Sequence, residues 1–177
     1  RQERRKHIMK IFVLALVGLI SLGVGALAIL LGPSLIAQAT GPEQPISFTH
    51  LTHAKTLSIE CTFCHRDVEA GAAATVPAVE QCMFCHSVVG KGVPEIEKVQ
   101  VAWQSKQPIN WVRVHRLPDH VGFTHEPHIR AGFDCATCHG DVKEMTRIRQ
   151  VRSLTMGDCV SCHQRNEAPT ECAICHY

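Results

Sequence analysis

The first 45 residues contain the only long apolar stretch of the chain. Residues 11–31 form a run of 21 residues without a charged side chain. As a helix rising about 1.5 Å per residue, this run is long enough to cross a hydrocarbon core of roughly 30 Å. The ten residues before it hold five basic side chains and one acid, which favours a cytoplasmic N-terminus. We predict a cytoplasmic basic tail at 1–10, a transmembrane helix at 11–36 that Pro33 limits, and an extended linker at 37–45.

A cleaved signal peptide is the alternative interpretation of this stretch. Ala37-Gln-Ala39 resembles a processing site, but the apolar run exceeds the roughly 7–15 residues of a signal-peptide core. We therefore favour a retained single-pass anchor.

After residue 45 the strongest regularity is an internal repeat. Phe48-Thr-His50-Leu-Thr-His53 returns 75 residues later as Phe123-Thr-His125-Glu-Pro-His128, and each copy precedes two Cys-x-x-Cys-His segments. Such self-similarity indicates a repeated structural unit. We predict two modules at 46–90 and 121–165, a connector at 91–120, and a further unit at 166–177.

All ten cysteines lie in Cys-x-x-Cys-His segments. Zinc knuckles or disulfides would explain paired cysteines, but not a histidine after every pair. Two thiols at this spacing add to the vinyl groups of a haem, and the next histidine takes one axial position on the iron. We predict five covalently bound haem c groups. Their attachment residues are Cys61 and Cys64, Cys82 and Cys85, Cys135 and Cys138, Cys159 and Cys162, and Cys172 and Cys175. The proximal ligands, in the same order, are His65, His86, His139, His163 and His176.

The remaining histidines decide whether the irons are open to a substrate. Six lie beyond the apolar stretch: His50, His53, His115, His120, His125 and His128. Bis-histidine ligation of five irons is therefore possible and would favour electron transfer over substrate binding. Our hypothesis pairs His50 with His65, His53 with His86, His125 with His139, His128 with His163 and His115 with His176, leaving His120 as surplus. A methionine, Met156 before Met83 or Met145, is the alternative to one imidazole.

Charge and size restrict the class of protein. Residues 41–177 hold 13 of the 18 Lys and Arg residues and 15 of the 16 acids, so no strongly basic nucleic-acid-binding surface is indicated. So few residues around five haems leave little chain for a separate core. The predicted fold is a multihaem cytochrome c, mostly coil with short α-helices around five covalent haems, plus one N-terminal transmembrane helix.

The motifs also resemble known families. Phe-x-His-x-x-His ahead of Cys-x-x-Cys-His resembles the class III multihaem cytochromes c. A wider set of segments is similar to the pentahaem cytochrome subunit of alternative complex III, a bacterial quinol oxidoreductase. These segments are Cys82-Met-Phe-Cys-His, Trp111-Val-Arg-Val-His115-Arg-Leu-Pro-Asp and Ser153-Leu-Thr-Met-Gly-Asp-Cys159.

That resemblance implies an electron-transfer subunit on the periplasmic side of the cytoplasmic membrane. Its partners would be an iron–sulfur subunit and polytopic quinol-binding membrane subunits. Electrons would leave to a monohaem cytochrome, another periplasmic cytochrome c, a blue copper protein or an oxidase. Family members often carry an aromatic residue at the position of His120, which also implies that this histidine is surplus.

Two other functions compete with this one. A self-contained membrane-anchored quinol dehydrogenase feeding a periplasmic reductase usually has a methionine after its first Cys-x-x-Cys-His, whereas Arg66-Asp67 follow His65 here. A nitrite- or hydroxylamine-converting enzyme often replaces one proximal histidine by lysine, which none of the five segments does. Whether the chain is itself an enzyme stays open, but no substrate-binding haem is expected.

Overall fold

The computed structural model describes residues 2–176, and only the helical backbone across 34–39. It divides into two compact units, Arg1–Thr40 and Gly41–Tyr177. The first is a single helix, α1 (Gln2–Thr40), with exposed apolar side chains such as Phe12 and Leu22. Its part Gln2–Pro33, with a mean hydropathy of 2.7, is long and apolar enough to cross a membrane. This is compatible with a single-pass anchor or a signal sequence.

The helix is longer than predicted at both ends. It includes the basic tail and runs through Pro33 to Thr40, so the expectation that Pro33 limits it was wrong. A proline inside a helix removes one backbone hydrogen bond and strains one turn, which the turns on either side can outweigh. The proposed processing site at Ala37–Ala39 falls where side chains lie outside the described part.

The second unit consists of short helices joined by coil. Its α-helices are α2 (Cys61–Cys64), α3 (Val79–His86), α4 (Pro94–Gln104), α5 (His125–Arg130), α6 (Ala136–His139), α7 (Met156–Arg165) and α8 (Cys172–Cys175). A π-helical turn covers Leu51–Thr56, and two 3₁₀ turns cover Arg66–Glu69 and Val142–Glu144. Between residues 2 and 176 the only β-pairing is an isolated antiparallel bridge between Val121 and His176. The structure thus agrees with a mostly helical and coil fold.

Residues 41–45, the end of the predicted linker, lie outside helices and strands. They belong to the second unit, where the Gln44 side chain makes two hydrogen bonds with the backbone of Val112, at 2.9 and 3.0 Å. Gly41 has a φ of +76°, and a Cβ there would collide with the carbonyl of Ile148. The close backbone approach therefore requires glycine at this position.

The second unit has almost no polypeptide core. The buried hydrophobic side chains of the described residues are Ile46, Val68, Val99 and Met145. A domain of this size normally buries well over half of the surface of its unfolded chain. Large apolar side chains such as Phe84, Val88 and Ile174 are instead more than half exposed. The chain alone therefore does not supply the apolar contacts that its fold requires.

The two modules interlock reciprocally. The Leu51–Thr56 turn of the first packs against the Val142–Glu144 turn of the second, where Lys55 forms an ion pair with Glu144 at 2.5 Å. Helix α5 of the second packs against the Arg66–Glu69 turn of the first, where the His125 N–H donates to the Ala72 carbonyl at 3.2 Å. Each His-x-x-His segment is thus held by the other module.

Candidate functional site

The five Cys-x-x-Cys-His segments fold as helical turns. Four of them place the first cysteine inside a helix, and Cys135 immediately precedes α6. The i, i+3 spacing in a helical turn brings both thiols to one face. In three segments the N–H of the following histidine donates to the carbonyl of the first cysteine: His65 to Cys61, His139 to Cys135 and His176 to Cys172, at 2.9–3.0 Å. This bond fixes the start of the histidine side chain relative to the two thiols.

The fourth segment, on α7, is held by a side chain beyond its histidine. Cys159 and Cys162 both lie inside this helix and are both partly buried. The side-chain amide of Asn166 donates to the Cys162 carbonyl at 2.8 Å and lies 3.6 Å from the Cys162 sulfur. Asn166 therefore fixes the second thiol of the pair at the C-terminal end of α7.

The cysteines are arranged neither as disulfides nor as zinc sites. All ten are free. In the described part of the chain, no three His, Cys, Asp or Glu side chains converge as they do around a metal ion bound by protein groups alone. This geometry disfavours the zinc-knuckle alternative, which needs four such ligands around each ion.

Seven imidazole rings are oriented by hydrogen bonds from Nδ1 to backbone carbonyls. The proximal rings bind as follows: His65 to Thr75 at 2.6 Å, His86 to Val89 at 3.2 Å, His163 to Pro169 at 2.5 Å and His176 to His120 at 3.2 Å. The upstream rings bind as follows: His53 to Thr49 at 2.9 Å, His125 to Ala72 at 2.8 Å and His128 to Thr124 at 2.8 Å. Because a carbonyl only accepts, the proton must be on Nδ1, and Nε2 is left with the lone pair that a metal needs.

Three pairs of rings have the separation of two imidazoles on one metal ion. With metal–nitrogen bonds of about 2 Å and each ring centre about 1 Å behind its nitrogen, two axial imidazoles have centroids about 6 Å apart. The observed separations are 6.1 Å for His53 and His86, 6.4 Å for His125 and His139, and 5.9 Å for His128 and His163. These are three of the five pairs hypothesised from the sequence.

His50 lies near His65, the proximal histidine with which it was paired in the hypothesis. Burial, followed by the nearby charges of His65 and His53, lowers the pKa of His50 to about 4. His139 is in a similar environment, because burial, followed by His115, His125 and His65, lowers its pKa to about 4. Both rings are therefore neutral at neutral pH, as a metal ligand must be.

The fifth pair differs from the hypothesis. His115 does not lie against His176 but has its ring centre 4.4 Å from that of His139, at an interplanar angle of 90°. Its Nε2 is buried without a hydrogen-bond partner, and burial lowers its pKa. The ring that faces His176 belongs to His120, at 5.5 Å and 22°.

One phenylalanine stands between the two histidines of each Phe-x-His-x-x-His segment. Phe48 lies 5.0 Å from His50 and 4.4 Å from His53. Phe123 lies 4.8 Å from both His125 and His128. Each phenylalanine therefore fixes the separation between two rings that face different Cys-x-x-Cys-His segments, a role that the sequence analysis did not assign.

Electrostatic interactions between thiols give the order of the five segments in space. Burial, followed by the Cys64 thiol, raises the pKa of Cys82. Burial, followed by the Cys61 thiol, raises the pKa of Cys135. Burial, followed by the Cys175 thiol and more weakly the Cys138 thiol, raises the pKa of Cys159. Neighbouring thiols therefore link the segments in the order of histidines 86, 65, 139, 163 and 176, which we call the row.

These residues fit covalently attached haem. The chain supplies paired thiols, imidazoles with Nε2 left for iron, ring pairs spaced for axial coordination, and apolar side chains that lack a protein core to pack against. Two family models match the two halves of the sequence: the class III cytochrome c family matches residues 36–116, and cytochrome c7 and related cytochromes c match residues 121–177.

The chain has a multihaem cytochrome c fold. Each module of this cytochrome c is matched by a different family model, in agreement with the internal repeat. The chain is also similar to the protein named menaquinone reductase, multiheme cytochrome c subunit, of Nitratidesulfovibrio vulgaris (strain Hildenborough). The two are 27% identical over 161 residues, which cover 76% of this chain and 77% of that protein. The cytochrome c families that match the chain imply covalently bound haem c and electron transfer.

The sequence analysis of this cytochrome c missed the placement of His120. The available signal is Pro118 with Asp119. Residues 118–121 form a turn, closed by the Val121 N–H donating to the Pro118 carbonyl at 3.0 Å, and the chain then runs beside the C-terminal segment. Spacing alone does not show where such a turn leads, because the partner segment is more than 50 residues away.

Proposed function

We propose that this chain relays electrons through five c-type haems, from a quinol-oxidising iron–sulfur and membrane assembly to a periplasmic acceptor. The observation that carries the proposal is the set of three ring pairs with centroids about 6 Å apart, in which five of the six rings bind a backbone carbonyl through Nδ1. Residues that close both axial positions leave no place for a substrate, which favours a relay over an enzyme with an open iron.

The haem, when bound, supplies a one-electron carrier whose potential depends on its axial ligands and burial. The polypeptide positions the haems and orients their ligands. Thiols at i and i+3 fix the position of each group, and backbone carbonyls orient the imidazoles. Phe48 and Phe123 hold neighbouring ligand pairs at a constant separation. These contacts limit the rearrangement that accompanies a change of charge.

The row of segments supports a relay with two ends. Of the ten cysteines only Cys85 and Cys172 are exposed, and they belong to the segments of His86 and His176 at the two ends of the row. We propose that electrons enter at one end and leave at the other. The three middle segments, with half-buried cysteines, would pass charge between the modules.

The proposed location is the periplasmic side of the cytoplasmic membrane, with α1 as a single-pass anchor and its N-terminus in the cytoplasm. The basic residues before the apolar run support this orientation. The proposed partners are an iron–sulfur subunit, polytopic quinol-binding membrane subunits, and a monohaem cytochrome or another periplasmic acceptor. The relative's name supports a place in a quinone-linked complex. The resemblance to the pentahaem subunit of alternative complex III supports this partner set.

A second candidate is the same relay running in the opposite direction. The relative is named a menaquinone reductase subunit, which favours delivery of electrons to a quinone. The site geometry is the same for both directions, because saturated irons relay charge either way. The distinction lies in the potentials and in the partner complex.

The test is a preparation of the full chain in mild detergent, with its associated proteins identified. We expect five covalent haems by intact mass and pyridine haemochrome absorbance, low-spin spectra, and no carbon monoxide binding. We also expect an iron–sulfur protein and polytopic subunits to co-purify. Reduction of the haems by a menaquinol analogue would favour quinol oxidation, and oxidation of the reduced haems by a menaquinone analogue would favour the second candidate. Fewer than five covalent haems, or an iron that binds carbon monoxide, would refute the relay.

A further inference from the structure

The fifth attachment segment has a histidine facing it that neither the sequence pattern nor the family resemblance assigned. The rings of His120 and His176 lie 5.5 Å apart at an interplanar angle of 22°. This arrangement resembles that of His125 and His139, at 6.4 Å and 15°. Its separation is within about 1 Å of the spacing expected for two imidazoles on one iron.

Backbone contacts hold His120 in this position. Val121 and His176 form the antiparallel bridge, and the Gly122 N–H donates to the Cys175 carbonyl at 2.8 Å. Nδ1 of His176 donates to the carbonyl of His120 itself at 3.2 Å. These three contacts hold residues 120–122 beside Cys175 and His176. The rings of His120 and His176 therefore project from the same short stretch of paired backbone.

The competing histidine is placed differently. His115 is 4.4 Å from His139, and an iron between them would require the two ring centres to separate by more than 1 Å. His139 already has His125 at 6.4 Å. His115 is half-buried and lies among the central segments, away from the end of the row where His176 stands.

We infer that His120 is the distal axial ligand at the Cys172–His176 segment, and that His115 is a packing residue that positions His139. The inference rests on the proposed function, since it takes the fifth segment to hold a haem. It completes the set of distal ligands as His50, His53, His120, His125 and His128. The end of the row at His176 is then closed by residues from the connector between the modules.

The experiment compares His120→Ala with His115→Ala in the full chain in detergent. Each variant is analysed for covalent haem by intact mass, for spin state by electron paramagnetic resonance, and for carbon monoxide binding by difference spectroscopy. We expect His120→Ala to keep five haems and to convert one to a high-spin form that binds carbon monoxide. Added imidazole should restore the low-spin spectrum. His115→Ala should leave all haems low-spin and closed.

The opposite result, an open haem in His115→Ala and none in His120→Ala, would overturn the inference. If His120→Ala fails to mature, His120→Met keeps a ligand at the same place. One haem of five with methionine–iron absorbance would support the inference, and five unchanged bis-imidazole haems would overturn it. The wild-type protein distinguishes failure of the proposed function from failure of the ligand assignment. Fewer than five haems, or an open iron, in the wild type would refute the proposed function. A closed wild type with an unaffected His120→Ala would refute only the ligand assignment.

Discussion

The two modules reach the same ring geometry with different backbones. In the first, His53 lies on a π-helical turn, and in the second, His128 lies on the α-helix α5, whose Pro127 is tolerated because the first turn of a helix leaves its N–H groups unbonded. Yet His53 and His128 each donate to a threonine carbonyl four residues earlier, at 2.9 and 2.8 Å. Their centroid distances to the partner rings are 6.1 and 5.9 Å.

The helix that carries the second Cys-x-x-Cys-His segment of each module is stabilised differently in the two modules. Helix α3 has no side-chain cap at Ala78 and packs against α4. Helix α7 instead begins with a capping box, in which the Thr155 N–H donates to Asp158 at 2.9 Å and the Asp158 N–H to the Thr155 hydroxyl at 3.4 Å. The repeat therefore preserves the distances between rings, whereas each module stabilises its helix in its own way.

The largest expected effect comes from removing an attachment site at the junction of the modules. Cys61→Ala/Cys64→Ala and Cys135→Ala/Cys138→Ala should each lose most of the folded protein, because so few side chains are buried without the haems. Cys172→Ala/Cys175→Ala, at the end of the row, should leave four haems and both modules. Haem-stained gels and limited proteolysis check this. Equal tolerance of all three changes would contradict the dependence of the fold on the central attachment sites.

Removal of a matched distal histidine tests whether the modules are equivalent. His53→Ala and His128→Ala should each open one haem of five to carbon monoxide, because both rings stand at the spacing of an axial pair. His7→Ala on α1 is the control and should change nothing. A difference spectrum measures the bound fraction. Binding in only one of the two variants would show that the repeat does not conserve the ligand.

The support from α4 should be specific to the first module. Val99, 7% exposed, contributes to the small core, and Val99→Ala should lower the free energy of unfolding by about 2 kcal/mol. Val101 on the same helix is 63% exposed, so Val101→Ala should have little effect. Thermal scans of the haem absorbance check both. A similar loss in the two variants would argue against packing as the cause.

The capping box should matter to the second module alone. Thr155→Ala removes the acceptor for the Asp158 N–H and should cost about 1 kcal/mol of stability. Thr170→Ala, at an exposed threonine outside the helices, is the control. Conversely, Ala78→Thr introduces a capping side chain at α3 and should stabilise the first module by a smaller amount. Chemical denaturation of the holoprotein measures these differences.

The smallest expected effect is a pH dependence at the same cap. Hydrogen bonds from Ser153 and from the N–H and hydroxyl of Thr155 lower the pKa of Asp158 from 3.8 to about 2. Since the folded-state pKa is depressed, this contribution is complete above about pH 4 and is lost as the pH falls towards 2. The stability difference between wild type and Asp158→Asn should therefore shrink over that range. If the stability difference did not change with pH, the effect of the substitution would come from helix geometry and not from the charge of Asp158.

Much of the site follows from local sequence, because its key spacings are local. Cys-x-x-Cys-His and Phe-x-His-x-x-His each lie within about two helical turns, so the residues alone predict which groups share a face. The long-range features could not be predicted this way. The contact of His120 with His176 and the position of His115 beside His139 depend on the course of the proline-punctuated connector. The continuation of α1 past Pro33 depends on the stability of the helical turns on either side, which the presence of a proline alone does not predict.

The interlocking of the modules has a consequence for the order of folding. The Leu51 N–H donates to the carbonyl of Met145, so the first His-x-x-His segment reaches its final position only after the second half has been synthesised. Such distant pairings slow folding, because a long loop must close before they form. The N-terminal half is therefore expected to remain a loosely organised intermediate, with its own histidines unplaced, until the last third of the chain has been synthesised.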